Sequence, residues 1–272
     1  MKNTNEISIL MKQAITDCAT PGISYALEDI KNKIVETSFL GYKTYDKEIP
    51  LKDGDVYDLA SLTKVVGVTS RILQLLGKKI IDLDDKVSKY FPQISYPDIT
   101  IKNLLLHNSG LAADLSNVYS YANKDEVIDA IFKQKLIYPT GTDMIYSDLN
   151  FILLGMIIEK VDKESLDESL KVHVFEPLKM NSTGYCLNKN KQDFVPTEKT
   201  DQRGLIQGEV HDETAYMLNG VSGNAGLFST IGDLKKFCIM YLQKGRYKDK
   251  TIIPSDIINV LFKYNFMGRT LG

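Results

Sequence analysis

Ser61 stands three residues before Lys64 in the stretch DLASLTKVVG, Asp58 to Gly67, where an apolar run with helical spacing begins. A serine and a lysine so placed can act as a nucleophile and its proton partner, because residues three apart share a helix face and the ammonium reaches the hydroxyl. At a helix N-terminus the hydroxyl also lies among free backbone N–H groups and the positive end of the dipole, which stabilise a developing anion. A free lysine, with a pKa near about 10.4, is mostly charged at neutral pH. Burial beside Leu62 and Val65 is expected to lower that value and make the amine a usable base. The spacing alone is weak. With 17 serines and 29 lysines in 272 residues, chance gives about two such pairs, and the sequence has one. A serine N-cap followed by a solvated lysine accounts for it equally well.

The elements that must position this pair follow from hydrophobic spacing and punctuation. Thr4 is expected to cap a helix to about Ala19, with Ile7, Leu10, Met11 and Ile15 on one face. PGISYALED and KIVETSFLGY read as two strands around a turn at Asp29 to Asn32, an antiparallel hairpin. The Ser61 helix carries Leu62, Val65, Val66, Thr69, Ile72, Leu73 and Leu76 at helical spacing and is expected to end on Gly77. Further helical pieces are predicted at Asp84 to Tyr90, Ile101 to Leu106, Lys124 to Lys135, Leu149 to Val161 and Glu164 to Phe175. Residues 181–222 are polar and irregular. Thr230 then caps a helix from Ile231 to about Gln243, and PSDIINVLF makes another. This order predicts an α+β fold, an antiparallel sheet flanked by helices with an inserted helical lobe. The expected division is a sheet lobe from 1–60 and 200–272 and a mainly helical lobe from 61–199, in one structural unit.

Composition excludes several classes. The net charge is −2 and lysine outnumbers arginine 29 to 4, so no nucleic-acid surface is expected. No apolar run approaches the roughly 20 residues that span a bilayer. The N-terminal stretch is too interrupted by Glu6, Lys12 and Gln13 for a signal peptide. The sequence as it stands therefore reads as cytoplasmic, or extracytoplasmic where an export signal has been removed. Cys18, Cys186 and Cys238 lie far apart and read as buried free thiols. Three scattered histidines give no metal pattern, and no cofactor is expected. NGVSGNAG, spaced G-x-x-G-x-x-G, reads as a backbone turn, and no G-x-S-x-G elbow is present.

Four stretches in order, DLASLTK, LLLHNSGL, PTGTDMIYSDLN and GEVHDETAYMLNGVSGNAGLFST, closely resemble the serine β-lactamase-like family. That family includes class C β-lactamases, low-molecular-weight penicillin-binding proteins (D,D-carboxypeptidases) and family VIII esterases. The resemblance runs from about Pro21 to Phe237. It implies Ser61 as acylated nucleophile, Lys64 as its proton partner, and Tyr146 of YSD as the group that shares proton transfer and protonates the leaving group. Read without the resemblance, Tyr146 could be core and Ser147 or Asp148 an N-cap. Asp148 stands where the family usually has asparagine. A carboxylate accepts but cannot donate to a substrate amide, and it favours a charged lysine, which points to Tyr146 rather than Lys64 as the immediate base. His107 is expected to be a buried structural residue, His173 a surface or packing residue, and His211, beside Asp212, a weak candidate for the substrate rim.

The family's third motif, a Lys/His-Thr/Ser-Gly triplet that helps bind the substrate carboxylate and the oxyanion, has no counterpart. PTG at 139–141 and VSG at 221–223 lack the cation. The expectation is that the C-terminal strands are absent, leaving the Ser61 N–H as half of an oxyanion hole. The implied function is a serine hydrolase that forms an acyl-enzyme on Ser61 and acts on a β-lactam or a D-Ala-D-Ala-type amide. The alternatives are a family VIII-like carboxylesterase and a non-hydrolytic penicillin-binding sensor or degenerate relative. The implied partner is a small-molecule or peptide substrate.

Overall fold

The computed structural model describes residues 2–29 and 34–272 and combines α-helices with antiparallel strands. The first helix runs from Lys2 to Thr16, starting ahead of the expected Thr4 cap and stopping short of Ala19. It stops because Cys18 turns left-handed, with φ 57°, while the Cys18 and Ala19 N–H groups return to the Ile15 and Ala14 carbonyls. The predicted hairpin is present as Gly22–Asp29 paired antiparallel with Ile34–Gly41. Most of its expected turn, Asp29 to Asn32, lies outside the described residues. A second sheet places Leu227–Ser229 between Tyr57–Asp58 and Gly184–Tyr185, all antiparallel. Two further short antiparallel pairs, Lys199–Thr200 with Gly204–Leu205 and Arg246–Tyr247 with Lys250–Thr251, bring the sheets among the described residues to four, with the hairpin and the three-stranded sheet as separate parts. A 2.6 Å hydrogen bond between the Ser24 and Tyr57 hydroxyls joins the parts, and the Ile231–Leu242 helix, capped by Thr230, packs on the hairpin.

The helix Asp148–Asp162 sits at the centre of the main core. Its Leu149, Phe151, Leu153, Leu154, Ile157 and Ile158 are all fully buried. A helix apolar on every side can only be interior, and each such side chain stabilises by roughly 1.5–3 kcal/mol. It packs against the run that follows Ser61, a π-helical turn at Lys64–Thr69 leading into the α-helix Ser70–Gly77. Buried Arg71 is held bidentately by Asp162 at 2.6 and 2.8 Å, and Asp162 also accepts from Ser169, so this interior charge is satisfied.

Several local expectations are corrected. The helix does end on Gly77, as expected, but Gly77 is not itself left-handed; Lys79, with φ 56°, takes that turn. Gly77 instead makes room for the Ser255–Lys263 helix, since a Cβ there would lie 3.2 Å from Ile257. Asp84 to Tyr90 reduces to a 3₁₀ turn at Val87–Lys89. The reason is local: the Asp82 and Asp85 carboxylates capture the N–H groups of Asp84 and Asp82, competing with helical bonding. The helix expected from Glu164 begins at Leu166 and passes through a second π turn at Lys171–Phe175. All three cysteines are exposed, not buried. Cys18 and Cys186 occupy left-handed turn positions, and Cys238 lies on the outer face of its helix.

One glycine is required where the two layers meet. A Cβ on Gly223 would lie 1.9 Å from the Phe151 carbonyl oxygen, so only glycine lets the 222–226 loop touch the central helix. Gly223→Ala is expected to destabilise by about 2–3 kcal/mol through backbone displacement, lowering the thermal midpoint by about 5–10 °C. Gly232 is the contrast, with nothing closer than 3.8 Å to its Cβ position. Gly232→Ala should raise the midpoint slightly, by the equivalent of about 0.5 kcal/mol. Thermal denaturation of the two variants checks both signs.

Candidate active site

Ser61 is exposed at a sharp corner between the Tyr57–Asp58 strand and the π turn. The corner is made by Asp58, whose carboxylate accepts from the Ala60 N–H at 2.8 Å and the His211 N–H at 2.7 Å. Burial pushes the Asp58 carboxyl up, and these two bonds oppose the shift. Ala60 has φ 45°, a left-handed conformation that costs a non-glycine residue on the order of 1–3 kcal/mol. On either side the corner is pinned to the central strand: the Leu59 N–H bonds the Leu227 carbonyl and the Leu227 N–H bonds the Thr63 hydroxyl. The Ser61 N–H makes no hydrogen bond among the described residues.

Lys64 is only 3% exposed. Its ammonium donates to Ser61 Oγ at 3.0 Å and to the Asn224 carbonyl at 3.0 Å. Asp148 Oδ1 lies 2.6 Å away as an ion pair outside hydrogen-bond geometry. The ammonium is also 4.9 Å from the Tyr146 ring centre and 5.9 Å from that of Phe151. The burial expected from Leu62 comes from these rings instead; Leu62 itself is half exposed. The structure thus brings Ser61, Lys64, Tyr146 and Asp148 together.

Tyr146 is 40% exposed rather than core, and its segment is knitted to the HNSGL loop. The Ile145 N–H bonds the His107 carbonyl, the Ser147 N–H bonds His107 Nδ1 at 2.9 Å, and the Asp148 N–H bonds the Ala113 carbonyl at 2.7 Å. Asp148 is the first helical residue, not a cap, and the Ser147 hydroxyl bonds the Ala112 carbonyl. His107 is fully buried, as expected, and stacks on Tyr146 at 4.6 Å and on Phe151 at 5.2 Å. Burial, then the nearby Arg269 and Lys64 charges, pushes its pKa down to about 3. It is a neutral imidazole, with Nδ1 as acceptor.

His211 is not brought into this cluster by its side chain, which is exposed and pairs with Glu198 at 2.6 Å; only its backbone N–H reaches Asp58. His173 lies in the second π turn, half-buried, with its ring pushed down by burial.

Sequence reasoning missed Asn224, Asp114 and Arg269 here, and named Asp212 only as the neighbour of His211. Asn224, fully buried, offers its carbonyl to Lys64 while its amide donates to Asp148 Oδ2 at 3.3 Å and Asp212 Oδ1 at 3.0 Å. Asp212 caps the Glu213–Met217 helix. Asp114 accepts from the Thr214 hydroxyl. Arg269 lies over the Tyr146 ring, its guanidinium carbon 4.9 Å from the centre. Asn224 and Asp212 do stand in the stretches that carried the resemblance, whereas nothing marked Arg269. Oxygens of Asp114, Asp148 and Asp212 lie within 4.8 Å of one another. Each carboxylate already serves a protein partner, Asp148 the Lys64 ammonium, Asp212 the Asn224 amide and a helix end, and Asp114 a hydroxyl, and no metal is assigned.

A family model described as Beta-lactamase matches residues 9–260. The chain belongs to the beta-lactamase family. It is 27% identical, over 310 aligned positions, to "Putative D-alanyl-D-alanine carboxypeptidase" of Escherichia coli K12, covering 100% of this chain and 71% of that protein. It is 31% identical to "N-acetylmuramyl-L-alanine amidase" of Bacillus subtilis 168, covering 80% of this chain and 58% of that protein. The octameric penicillin-binding protein homologue from Pyrococcus abyssi superposes with a TM-score of 0.78 at 22% identity, over 99% of this chain and 64% of that one. These relatives of the beta-lactamase family support a hydrolase, and the likeness to the archaeal structure shows the shared mixed α and antiparallel β fold. Among the described residues no helix is long and apolar enough to cross a membrane.

The carboxylate cluster makes a pH prediction. Desolvation, then the Asp212 and Asp148 charges, pushes Asp114 up to about 6, against two hydrogen bonds that lower it. An unfolded aspartate titrates near about 3.9, so the folded chain binds the extra proton between these values. Stability therefore falls as pH rises through that window, and the penalty is complete above it. Asp114→Asn is expected to unfold at a higher temperature than the parent at pH 8, with the difference fading towards pH 4. Melting curves of both proteins across that range test it.

Proposed function

We propose that this chain is a serine hydrolase that forms an acyl-enzyme on Ser61. The reading is carried by the placement of the Lys64 ammonium, 3.0 Å from Ser61 Oγ and held on its other sides by the Asn224 carbonyl and Asp148. Because Lys64 donates to Ser61 Oγ, the serine's own proton must leave in another direction. Tyr146, whose ring centre lies 4.9 Å from the same ammonium and which is partly exposed, is the group assigned to relay it, its phenol oxygen accepting the serine proton as its own proton passes on towards the leaving group. Ser61 Oγ then bonds to the substrate carbonyl carbon, and the carbonyl electrons move to oxygen. The free Ser61 N–H and the positive end of the turn are placed to stabilise that oxyanion. Collapse breaks the bond to the leaving group, which receives the proton from Tyr146, and water attacks the acyl-serine along the reverse route.

The substrate reading is a D-Ala-D-Ala-type amide or a β-lactam, supported by the names of the E. coli carboxypeptidase and B. subtilis amidase relatives. One observation favours the esterase alternative. Asp148 stands against Lys64 where an asparagine amide would be free to donate, so an amide substrate loses a donor that an ester with a good leaving group does not need.

Incubation with a chromogenic cephalosporin, a fluorescent penicillin and p-nitrophenyl acetate tests these readings. A covalent mass adduct on Ser61 is expected, and Ser61→Ala should remove it. Tyr146→Phe should slow acylation by roughly 10²–10⁴-fold. Asp148→Asn should raise cephalosporin turnover relative to the ester. Reaction with none of the probes would overturn the hydrolase reading, and unaltered reaction in Ser61→Ala would overturn the choice of nucleophile.

A further inference from the structure

The serine and its lysine are supported from different parts of the chain, and one short stretch of backbone is bonded to both supports. The His211 N–H donates at 2.7 Å to the Asp58 carboxylate, which also holds the Ala60 N–H and so sets the corner that carries Ser61. The next residue, Asp212, accepts from the Asn224 amide at 3.0 Å, and the Asn224 carbonyl holds the Lys64 ammonium at 3.0 Å. The Asn224 amide is kept pointing at the carboxylates by its own Oδ1, which accepts from the Ser222 hydroxyl at 2.6 Å.

This stretch has no helix or strand of its own. Among the described residues, 207–211 take part in no backbone–backbone hydrogen bond, so side chains must set their path. The side chain that does so is Arg203. Its guanidinium donates to the carbonyls of both Val210 and His211, the latter at 3.0 Å. Nε and Nη2 also donate to the Glu209 carboxylate, at 3.2 and 2.7 Å. The flat group lies on the Tyr216 ring, 4.1 Å from its centre, in the helix that Asp212 caps. Only 8% of the arginine side chain is exposed, so water competes little for these bonds. A rigid fork can hold three consecutive residues and stack at the same time, whereas a lysine can hold one acceptor as a point charge.

We infer that Arg203 is a positioning residue for acylation: it holds residues 209–212 so that His211 and Asp212 keep Ser61 and Lys64 in register. The inference rests on the reading of Ser61 as the acylated nucleophile. Arg203 acts through main chain, and no contact with the substrate is required of it. Releasing the stretch would let the Ser61 corner and the Asn224 carbonyl shift independently, and a displacement of about 1 Å at the reacting atoms costs on the order of 10²-fold in rate.

Labelling of Ser61 by p-nitrophenyl acetate, followed by intact mass against time and ester concentration, separates rate, binding and folding. With Arg203→Met the maximal labelling rate is expected to fall about tenfold or more. The half-saturating concentration should stay within about threefold, and the final labelled fraction should match the parent's. Arg203→Lys should recover part of the rate by holding one carbonyl. Asp58→Asn leaves one carboxylate-type acceptor and should also slow labelling. Adding Arg203→Met to it should cost less than the same change costs the parent, because the two act along a shared path. Circular dichroism melts establish that each variant is folded, and Arg203→Lys carries the test where Arg203→Met does not fold. An unchanged maximal rate, a loss confined to the labelled fraction, a change confined to the half-saturating concentration, or full additivity with Asp58→Asn would each overturn the assignment while leaving the hydrolase reading in place. A parent that takes no label at Ser61 would overturn the hydrolase reading and the assignment with it.

Discussion

The buried ammonium of Lys64, set among oxygens, organises the active-site part of this molecule. Lys64 is almost fully removed from water, and leaving a charge there without partners would be strongly destabilising. Its partners come from three distant parts of the chain: the corner at Ser61, the start of the central helix at Asp148, and the loop carbonyl of Asn224. Each has a local reason to be where it is. The corner is set by Asp58 and the strained Ala60, the helix start by the Ala113 and His107 acceptors, and the loop by the contact that Gly223 permits. Packing and electrostatics therefore act on the same few residues, and moving any of the three segments would expose the charge imbalance.

The surroundings of Tyr146 show the complementary strategy, with neutral and cationic groups about an exposed phenol. Buried His107 stays uncharged and serves as a flat acceptor, fixing the backbone of the next residue while its ring supports the tyrosine. A charged imidazole in that place would stand close to both Lys64 and Arg269, and its desolvation would be unpaid. The Tyr146 ring thus faces two cations, the Lys64 ammonium and the Arg269 guanidinium, each 4.9 Å from its centre.

What could be read from sequence follows the range of the interactions. The Ser61–Lys64 spacing, the hairpin alternation and the apolar central helix are local patterns, and each was legible. The partners of Lys64 were less so: Asn224 lies 160 residues away and contributes a main-chain carbonyl, which residue type does not reveal. Arg269 was invisible for the same reason, since its place depends on how a tight turn is tied to Leu105 and Leu261. The cysteine expectation failed because a left-handed turn, not side-chain polarity, set the exposure of Cys18 and Cys186. Asp84 to Tyr90 failed because aspartate side chains outcompeted the helix for its own donors.

The π turn at Lys64–Thr69 has one more consequence. Widening the helix there is equivalent to inserting one residue, which shifts everything after it by about 100° around the axis. The lysine is thereby set on a different angular phase from Ile72, Leu73 and Leu75, which face the core. The two halves of the segment answer to separate constraints, so the core helix can drift in sequence without rotating the lysine away from its serine.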